Sequence, residues 1–348
     1  MTGPGVAPSP EEVAAVEAGH RARVRDADPV AVVPDLLGPG AGTGGLLVAR
    51  LADGSCAVGE ASSTDVSATS PLAASRALRE HRLRARASGP DVAGALRALL
   101  GTWSAQVATQ GTGAGGPTGE PDEALSVTWP SRDVEAVPAL LAAGLRPTVH
   151  LALRRGAPGG TVPRVAPEVV VRDATAADVE AIVEHQVAEL AYDALVGAAR
   201  SRPAARKAVA PQVAAAVARP GSVVLVAAGP DGQVQGVVAV EPPDRSGWVA
   251  GTVTTTPVAY LVLLHVRRTA RGAGTGGALL DAALARLHAA HGPATAVLLH
   301  HGVLNPLSAP FWARHGFRPV LTTWEADRDD DREADPATTR ERRVSTTT

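Results

Sequence analysis

Cysteine, lysine and aromatic side chains are nearly missing from this sequence, and each scarcity excludes something. A single cysteine, Cys56, rules out a disulfide within the chain and fits a reducing compartment. A single lysine, Lys207, leaves arginine to carry nearly all the positive charge. Alongside abundant alanine, glycine and proline, that reads as the codon bias of a GC-rich genome, not as a demand for guanidinium chemistry. Aromatics make up 3% of residues, so the core must be aliphatic and any cluster of rings is informative. The strongest apolar run, VAYLVLLHV at 258–266, falls well short of the ~20 residues that cross a bilayer. The opening MTGPGVAPSPEE has neither the basic nor the apolar region of a signal peptide. A net charge of −2 gives no reason to expect nucleic acid or an acidic membrane as partner. Together these absences point to a soluble cytoplasmic protein.

With 348 residues, 45% of them hydrophobic and 20% charged, the chain can fill two domains of ordinary size. We expect a flexible tail at 1–29 carrying one short helix over 11–23, a first unit at 30–155, and a Pro/Gly linker at 156–167. A second unit follows at 168–326, with a disordered mixed-charge tail at 327–348. The first unit opens with a hairpin turned at Asp53-Gly54. Helical patterns cover 72–84 and 91–100, and a flexible loop spans 108–123. The strand ALSVTWP, the helix SRDVEAVPALLAAG and the strand TVHLALRR complete it. In the second unit a capping-box pattern, Thr175 with Asp178, heads a helix after the first strand. A helix near 203–218, a hairpin turned at Asp231-Gly232 and the strand at 258–266 precede a glycine-rich loop and its helix. The strand TAVLLHH, a short helix and a final strand RPVLTTWEA end the unit.

The hexapeptide GAGTGG occurs twice, at 40–45 and at 272–277. Only the second follows a strand and opens an amphipathic helix, where unpaired amides and the positive end of a helix dipole can receive an anion. The first reads as a plain loop. A mononucleotide loop would need Lys and Ser/Thr after its last glycine, and Ala278 and Leu279 stand there instead. Gly272, Gly274 and Gly277 match G-x-G-x-x-G of a dinucleotide fold. Yet RRTA separates them from the strand, and the next strand ends in His300-His301 without the acidic residue that would meet a ribose. A third pattern, V-x-x-x-x-R-G-x-G-x-G, is met by Val266, Arg271, Gly272, Gly274 and Gly276.

In that pattern the chain resembles the GCN5-related N-acetyltransferase (GNAT) superfamily, and NPLSAPFWARHGFRP, about thirty residues on, resembles the family's second motif. The likeness runs from 168 to about 326. It implies an α+β fold with α/β-type layers, in which helices flank a central mixed, mostly antiparallel sheet. Two splayed parallel strands in that sheet form the acetyl-CoA site. It also implies acetyl-CoA as cosubstrate without a metal, and a small-molecule or peptide amine as acceptor. The diphosphate would lie on Arg271, Gly272, Ala273, Gly274, Thr275 and Gly276, and the pantetheine against Leu264, His265 and Val266. Asn305 would bind the pantetheine or cap the following helix, and Trp312 stands where many members carry a tyrosine that protonates the departing thiolate. An indole N–H cannot serve as that proton source. SVTWPSRDVEAVPALLAAGLRPTVHLALRR in the first unit echoes the same order of elements, but ASGPDVAGALRALL lacks the glycine pattern. We therefore read a tandem with a degenerate first copy.

The implied reaction is direct attack of an amine on the thioester in a ternary complex. An amine of pKa ~10.4 costs about 4–5 kcal/mol to deprotonate at neutral pH, so a base is useful. Glu241 at a strand end, and His265 and His300 on the two flanking strands, are the candidates. Two other functions fit parts of the pattern: a non-catalytic acyl-CoA-binding regulatory module, and a nicotinamide-dependent oxidoreductase.

Overall fold

The computed structural model describes residues 7–36, 45–110, 122–156 and 169–328. The first half contains α1 (Pro10–Ala27), β1 (Leu46–Arg50), β2 (Cys56–Asp65), β3 (Arg79–Ser88), α2 (Val92–Ala108), β4 (Glu123–Pro130), α3 (Val137–Ala142) and β5 (Arg146–Arg154). The second contains β6 (Val170–Asp173), α4 (Val179–Leu195), α5 (Ala205–Ala218), β7 (Val223–Ala228), β8 (Val234–Glu241), α6 (Gly247–Ala250) and β9 (Val258–Val266). It ends with α7 (Thr275–His291), β10 (Ala296–Gly302), α8 (Ser308–Arg314) and β11 (Arg318–Asp327).

The eleven strands among the described residues join one sheet in the order β1-β2-β3-β4-β11-β5-β10-β9-β8-β7-β6. Each half repeats one plan: an antiparallel pair (β2/β3, β8/β9), then a crossover helix (α2, α7) to a strand parallel to the second of the pair (β4, β10). Among the described residues these are the only two parallel contacts in an otherwise antiparallel sheet, so the α+β class expected from the sequence holds. The last strand of each half is exchanged. β11 pairs with β4, β5 pairs with β10, and β5 and β11 pair with each other. The interleaving fuses both halves into one sheet, because neither half closes its own edge.

Two aliphatic cores lie under the crossover helices. Leu96, Leu99, Leu100 and Trp103 of α2 pack with Leu83, Val127 and Trp129, while Leu280, Ala283, Leu284 and Leu287 of α7 pack with Leu225, Val238 and Val297. In α7 those four recur at helical spacing, which is why this stretch forms a helix with one face on the sheet.

Two expectations are corrected. Residues 10–27 are not a tail: Ser9 accepts from the Glu12 amide to cap α1, and Val13, Val16, His20 and Val24 recur at helical spacing and are buried. The stretch 72–84 is not helical. After a short 3-10 turn at Pro71–Ala74, β3 begins at Arg79. Leu, Ala and Arg suit a helix, but Leu83, Ala85 and Ala87 alternate with Arg82, Arg84 and Arg86, and pairing with β2 and β4 decides. The helix expected at 91–100 continues to Ala108. Most of the first GAGTGG (40–44), the loop core 111–121, the linker 157–168 and the tail 329–348 lie outside the described residues. The hairpin turns at Asp53-Gly54 and Asp231-Gly232 have Gly54 and Gly232 at φ +88° and +77°.

Candidate active site

The parallel ladder between β9 and β10 is short. It joins Val258–Tyr260 to Ala296–Leu298 and stops. A register shift against β8, between Ala239 and Val240, leaves Val262 as an extra residue and bends β9 at that point. Beyond Tyr260, β9 keeps β8 on one edge and, among the described residues, has no strand on the other. A cavity of about 520 Å³ fills the gap, lined by Leu261, Val262, Leu264, His265, Val266 and the glycine loop on one side, and by His300, His301 and Asn305 on the other.

The loop end of the cavity is shaped by glycine. Gly272 and Gly274 both have φ +83°, a conformation that residues with a Cβ rarely take, and Gly274 is the N-cap of α7. The amides of Thr275, Gly276 and Gly277 begin the helix with no carbonyl one turn before them. A Cβ on Gly276 would sit 3.3 Å from the Phe311 ring, so only glycine fits without moving that ring. Ala273 lies in the loop between the two left-handed glycines but does not line the cavity.

Arg271 is held across this mouth. Its Nε donates to the Val266 carbonyl (2.9 Å), one Nη lies 3.5 Å from His265 Nε2, and the guanidinium sits 6.0 Å from the Tyr192 ring centre. His265 Nδ1 is 2.7 Å from His185 Nδ1, whose Nε2 is 3.2 Å from the Val234 carbonyl. Only one arrangement of hydrogens satisfies these contacts with neutral rings: His185 Nε2–H donates to Val234, His265 Nδ1–H donates to His185, and His265 Nε2 accepts from Arg271. Burial, then the neighbouring His185 and Arg271, push His265 down to about 4, so it stays neutral. His265 thus lies at the loop end of the cavity.

At the opposite end, His300 lies on the face of β10 away from α7, since its neighbours Val297 and Leu299 pack in the core beneath α7. Its Nδ1 is 2.8 Å from the Tyr260 hydroxyl. The ring opens to the cleft, and the surrounding walls, with Arg76 and His301 next, push it down to about 4. Glu241 ends β8 directly opposite Tyr260 in the ladder and does not line the cavity. Asn305 caps α8 by accepting from the Leu307 and Ser308 amides, both at 3.0 Å, and donates to Asp193 at 2.9 Å. Trp312 is 6% exposed, packed between Phe311 and Phe317 at 4.9 and 5.1 Å, with one part reaching the cavity wall.

Glu189, Tyr192 and Asp193 on α4 line the same cavity, and Tyr260 on β9 stands next to it, none of them among the residues expected from the sequence. Burial and the nearby Asp193 hold the Glu189 carboxyl well above the usual range. His185, Glu189 and Asp193 fall four apart, so they share one helix face. Two acids interrupting the inward face of a helix were the available signal.

The corresponding place in the first half is occupied by the chain itself. At the start of α2 the Asp91 carboxylate accepts from the Gly94 amide at 2.7 Å, taking the position an anion would need. α1 packs along β3, and Arg23 donates to the Ala87 carbonyl at 2.7 Å and to Asp133 at 2.9 Å. His20 meets Trp129 edge-on at 5.0 Å between them.

Residues 186–317 match the family model described as the acetyltransferase (GNAT) family. Among solved structures, a GCN5-related N-acetyltransferase from Sphaerobacter thermophilus is 14% identical with a TM-score of 0.53, covering 92% of this chain and 94% of that one. It establishes a shared fold. A GCN5-related N-acetyltransferase from Kribbella flavida is 18% identical with a TM-score of 0.38, over 77% of this chain and 85% of its own. A tandem GNAT protein from the clavulanic acid biosynthesis pathway is 14% identical with a TM-score of 0.42, over 92% and 96%. No curated protein sequence matches the chain. No helix among the described residues is long and apolar enough to cross a membrane.

Proposed function

From the acetyltransferase (GNAT) family domain at residues 186–317, we propose that this protein transfers an acetyl group from acetyl-CoA to a primary amine in a ternary complex. The observation that carries the reading is one cavity joining a helix start with open amides to the unpaired edge of β9. A diphosphate is matched by the amides of 272–277 and by Arg271. A pantetheine amide is matched by the free backbone edge at 264–266. Asn305 shapes the slot through Asp193, and Trp312 closes it by packing.

The chemistry then falls at the His300 end of the cleft. The amine nitrogen forms a bond to the acetyl carbon, the carbon–sulfur bond breaks, and the sulfur leaves as thiolate. A thiol of pKa ~8.5 is a fair leaving group without a strong acid, which suits a site holding Trp312. The ammonium proton must first be removed. For His300 to take it, Nδ1 keeps its hydrogen and donates to the Tyr260 oxygen, leaving the Nε2 lone pair for the amine. His265, engaged by His185 and Arg271, suits positioning better, while Glu189 and Glu241 are carboxylates in range of Tyr260.

We read residues 30–155 as a degenerate copy that binds no coenzyme, because Asp91 and α1 occupy the equivalent places. Its contribution is a wall: Arg76 reaches the surroundings of His300. Calorimetry with acetyl-CoA and with NAD, followed by thiol release over a panel of amines, tests the function. Amine-dependent thiol release supports it. Acetyl-CoA binding without turnover identifies a regulatory module, and binding of NAD alone an oxidoreductase.

A further inference from the structure

A second cavity lies in the first half of the molecule, and its charged lining is all of one sign. The parallel ladder of β3 and β4 ends at Leu83 with Val127. Beyond it β3 keeps β2 on one edge and, among the described residues, has no strand on the other. A hollow of about 130 Å³ opens there, bounded by His20 of α1, the segment 32–34, Thr128 of β4 and Leu321 of β11. Leu83, Ala85 and Ala87 pack under α2, so Arg82, Arg84 and Arg86 share the opposite face of β3, and all three line the hollow. No aspartate or glutamate among the described residues lines it.

The three arginines differ in what balances them. Arg82 pairs with Glu80 at 2.9 Å and Arg84 with Glu60 at 2.8 Å, and both side chains are about 40% exposed. Arg86 is 7% exposed and has no ion pair among the described residues. Its two hydrogen bonds go to backbone carbonyls, those of Ala85 (2.7 Å) and Pro34, which leaves most of its five N–H groups open. The two carboxylates whose charge reaches it are engaged elsewhere, Glu17 by the Leu36 amide and Asp35 by Arg21. Burial first, then the charge of Arg84, push Arg86 down to about 10, so it is still a cation at neutral pH. A guanidinium taken out of water without a carboxylate is destabilising unless an anion reaches it.

We propose that this hollow binds a small, doubly charged oxyanion of the phosphate or sulfate kind, held by Arg86 with Arg82 and Arg84 at the rim. The planar fork of guanidinium donors matches such oxygens. The hollow is too small for a coenzyme, at about 130 Å³ against about 520 Å³ for the main cavity. A bound anion would brace the two halves, because the Val32 amide donates to the Thr252 carbonyl at 2.9 Å and Leu321 belongs to the exchanged strand β11. The site is independent of the acetyltransferase reading.

Calorimetric titration of the full chain with inorganic phosphate at fixed ionic strength tests it, with acetate and chloride as controls. Phosphate should bind saturably, acetate at least tenfold more weakly, and chloride without saturation. Arg86→Met keeps the length of the apolar stem and should lose at least tenfold in phosphate affinity, while Arg86→Lys should lose less. Phosphate can also meet the glycine loop at 272–277, so the titration is repeated in Gly274→Asp, where the binding should persist. Binding that disappears in a folded Gly274→Asp belongs to the loop and overturns the proposal. Wild-type phosphate affinity in a folded Arg86→Met, or the same response to chloride as to phosphate, overturns it as well. Should Arg86→Met not fold, the double variant Arg82→Gln, Arg84→Gln decides, because both side chains reach solvent: at least a tenfold loss is expected, and unchanged affinity refutes the site.

Discussion

Replacing Gly274 by aspartate tests the proposed coenzyme loop at a residue held at positive φ. Gly274 caps α7 with φ +83°, and the first-turn amides behind it are open. The first half of the molecule already shows what a carboxylate does at such a place: Asp91 accepts from the Gly94 amide at the start of α2. Gly274→Asp would put the same group against the amides of Gly276 and Gly277 and set a negative charge beside the phosphates. Loss of two charge-assisted hydrogen bonds, at about 1.5–3 kcal/mol each, amounts to about 3–6 kcal/mol, or more than 10²-fold in affinity. A side chain at positive φ also costs folding stability, about 1–2 kcal/mol. Gly232→Asp is the matched control, with φ +77° in an open hairpin turn distant in sequence from the loop. Calorimetric titration with acetyl-CoA should show the loss only in Gly274→Asp, while both variants melt at similarly reduced temperatures. Wild-type affinity in a folded Gly274→Asp, or equal losses in both variants, would refute the placement of the diphosphate.

Titration of the full chain should give one acetyl-CoA site, because the first-half site is filled by Asp91 and α1; a stoichiometry of two would contradict that. His300→Ala should lower kcat at least 10²-fold with acetyl-CoA affinity held, and the same measurement on Glu241→Gln, Glu189→Gln and His265→Ala ranks the candidate bases. With His300 depressed to about 4, the ring is neutral from mildly acidic pH upward and is protonated only as pH falls through about 4. The kcat/KM profile should therefore lack an inflection near 6.5 that disappears in His300→Ala. Asp178 bonds Arg172 at 2.8 Å and the Thr175 amide at 2.8 Å, and the Arg172 contact first among these depresses its pKa. Its stabilisation is present above the ordinary carboxyl pKa and is lost as pH falls below it. Asp178→Ala should cost about 1–2 kcal/mol at pH 7 by chemical denaturation, and less at pH 3.

What was legible in the sequence was local. Arg271, the glycines and the amphipathic stripe of α7 stand within one continuous stretch. The φ demands of the turns and the exposed amides of a helix start are set by neighbours in the chain. The capping box of Thr175 and Asp178, present as expected, is the same kind of feature. What tertiary structure decided was everything that depends on a distant partner. The stretch at 79–88 has helical propensity and becomes β3 because β2 and β4 pair with it. Residues 10–27 form a buried helix because Leu46 of β1 and Cys56 and Val58 of β2 are there to receive Val13 and Val16, and Trp129 of β4 to receive His20. Glu189, Tyr260 and His300 come from three elements, and no spacing along the chain brings them together. The exchange of β5 and β11 is of this kind as well, since a strand's side-chain alternation specifies which face it buries but not which strand lies beside it.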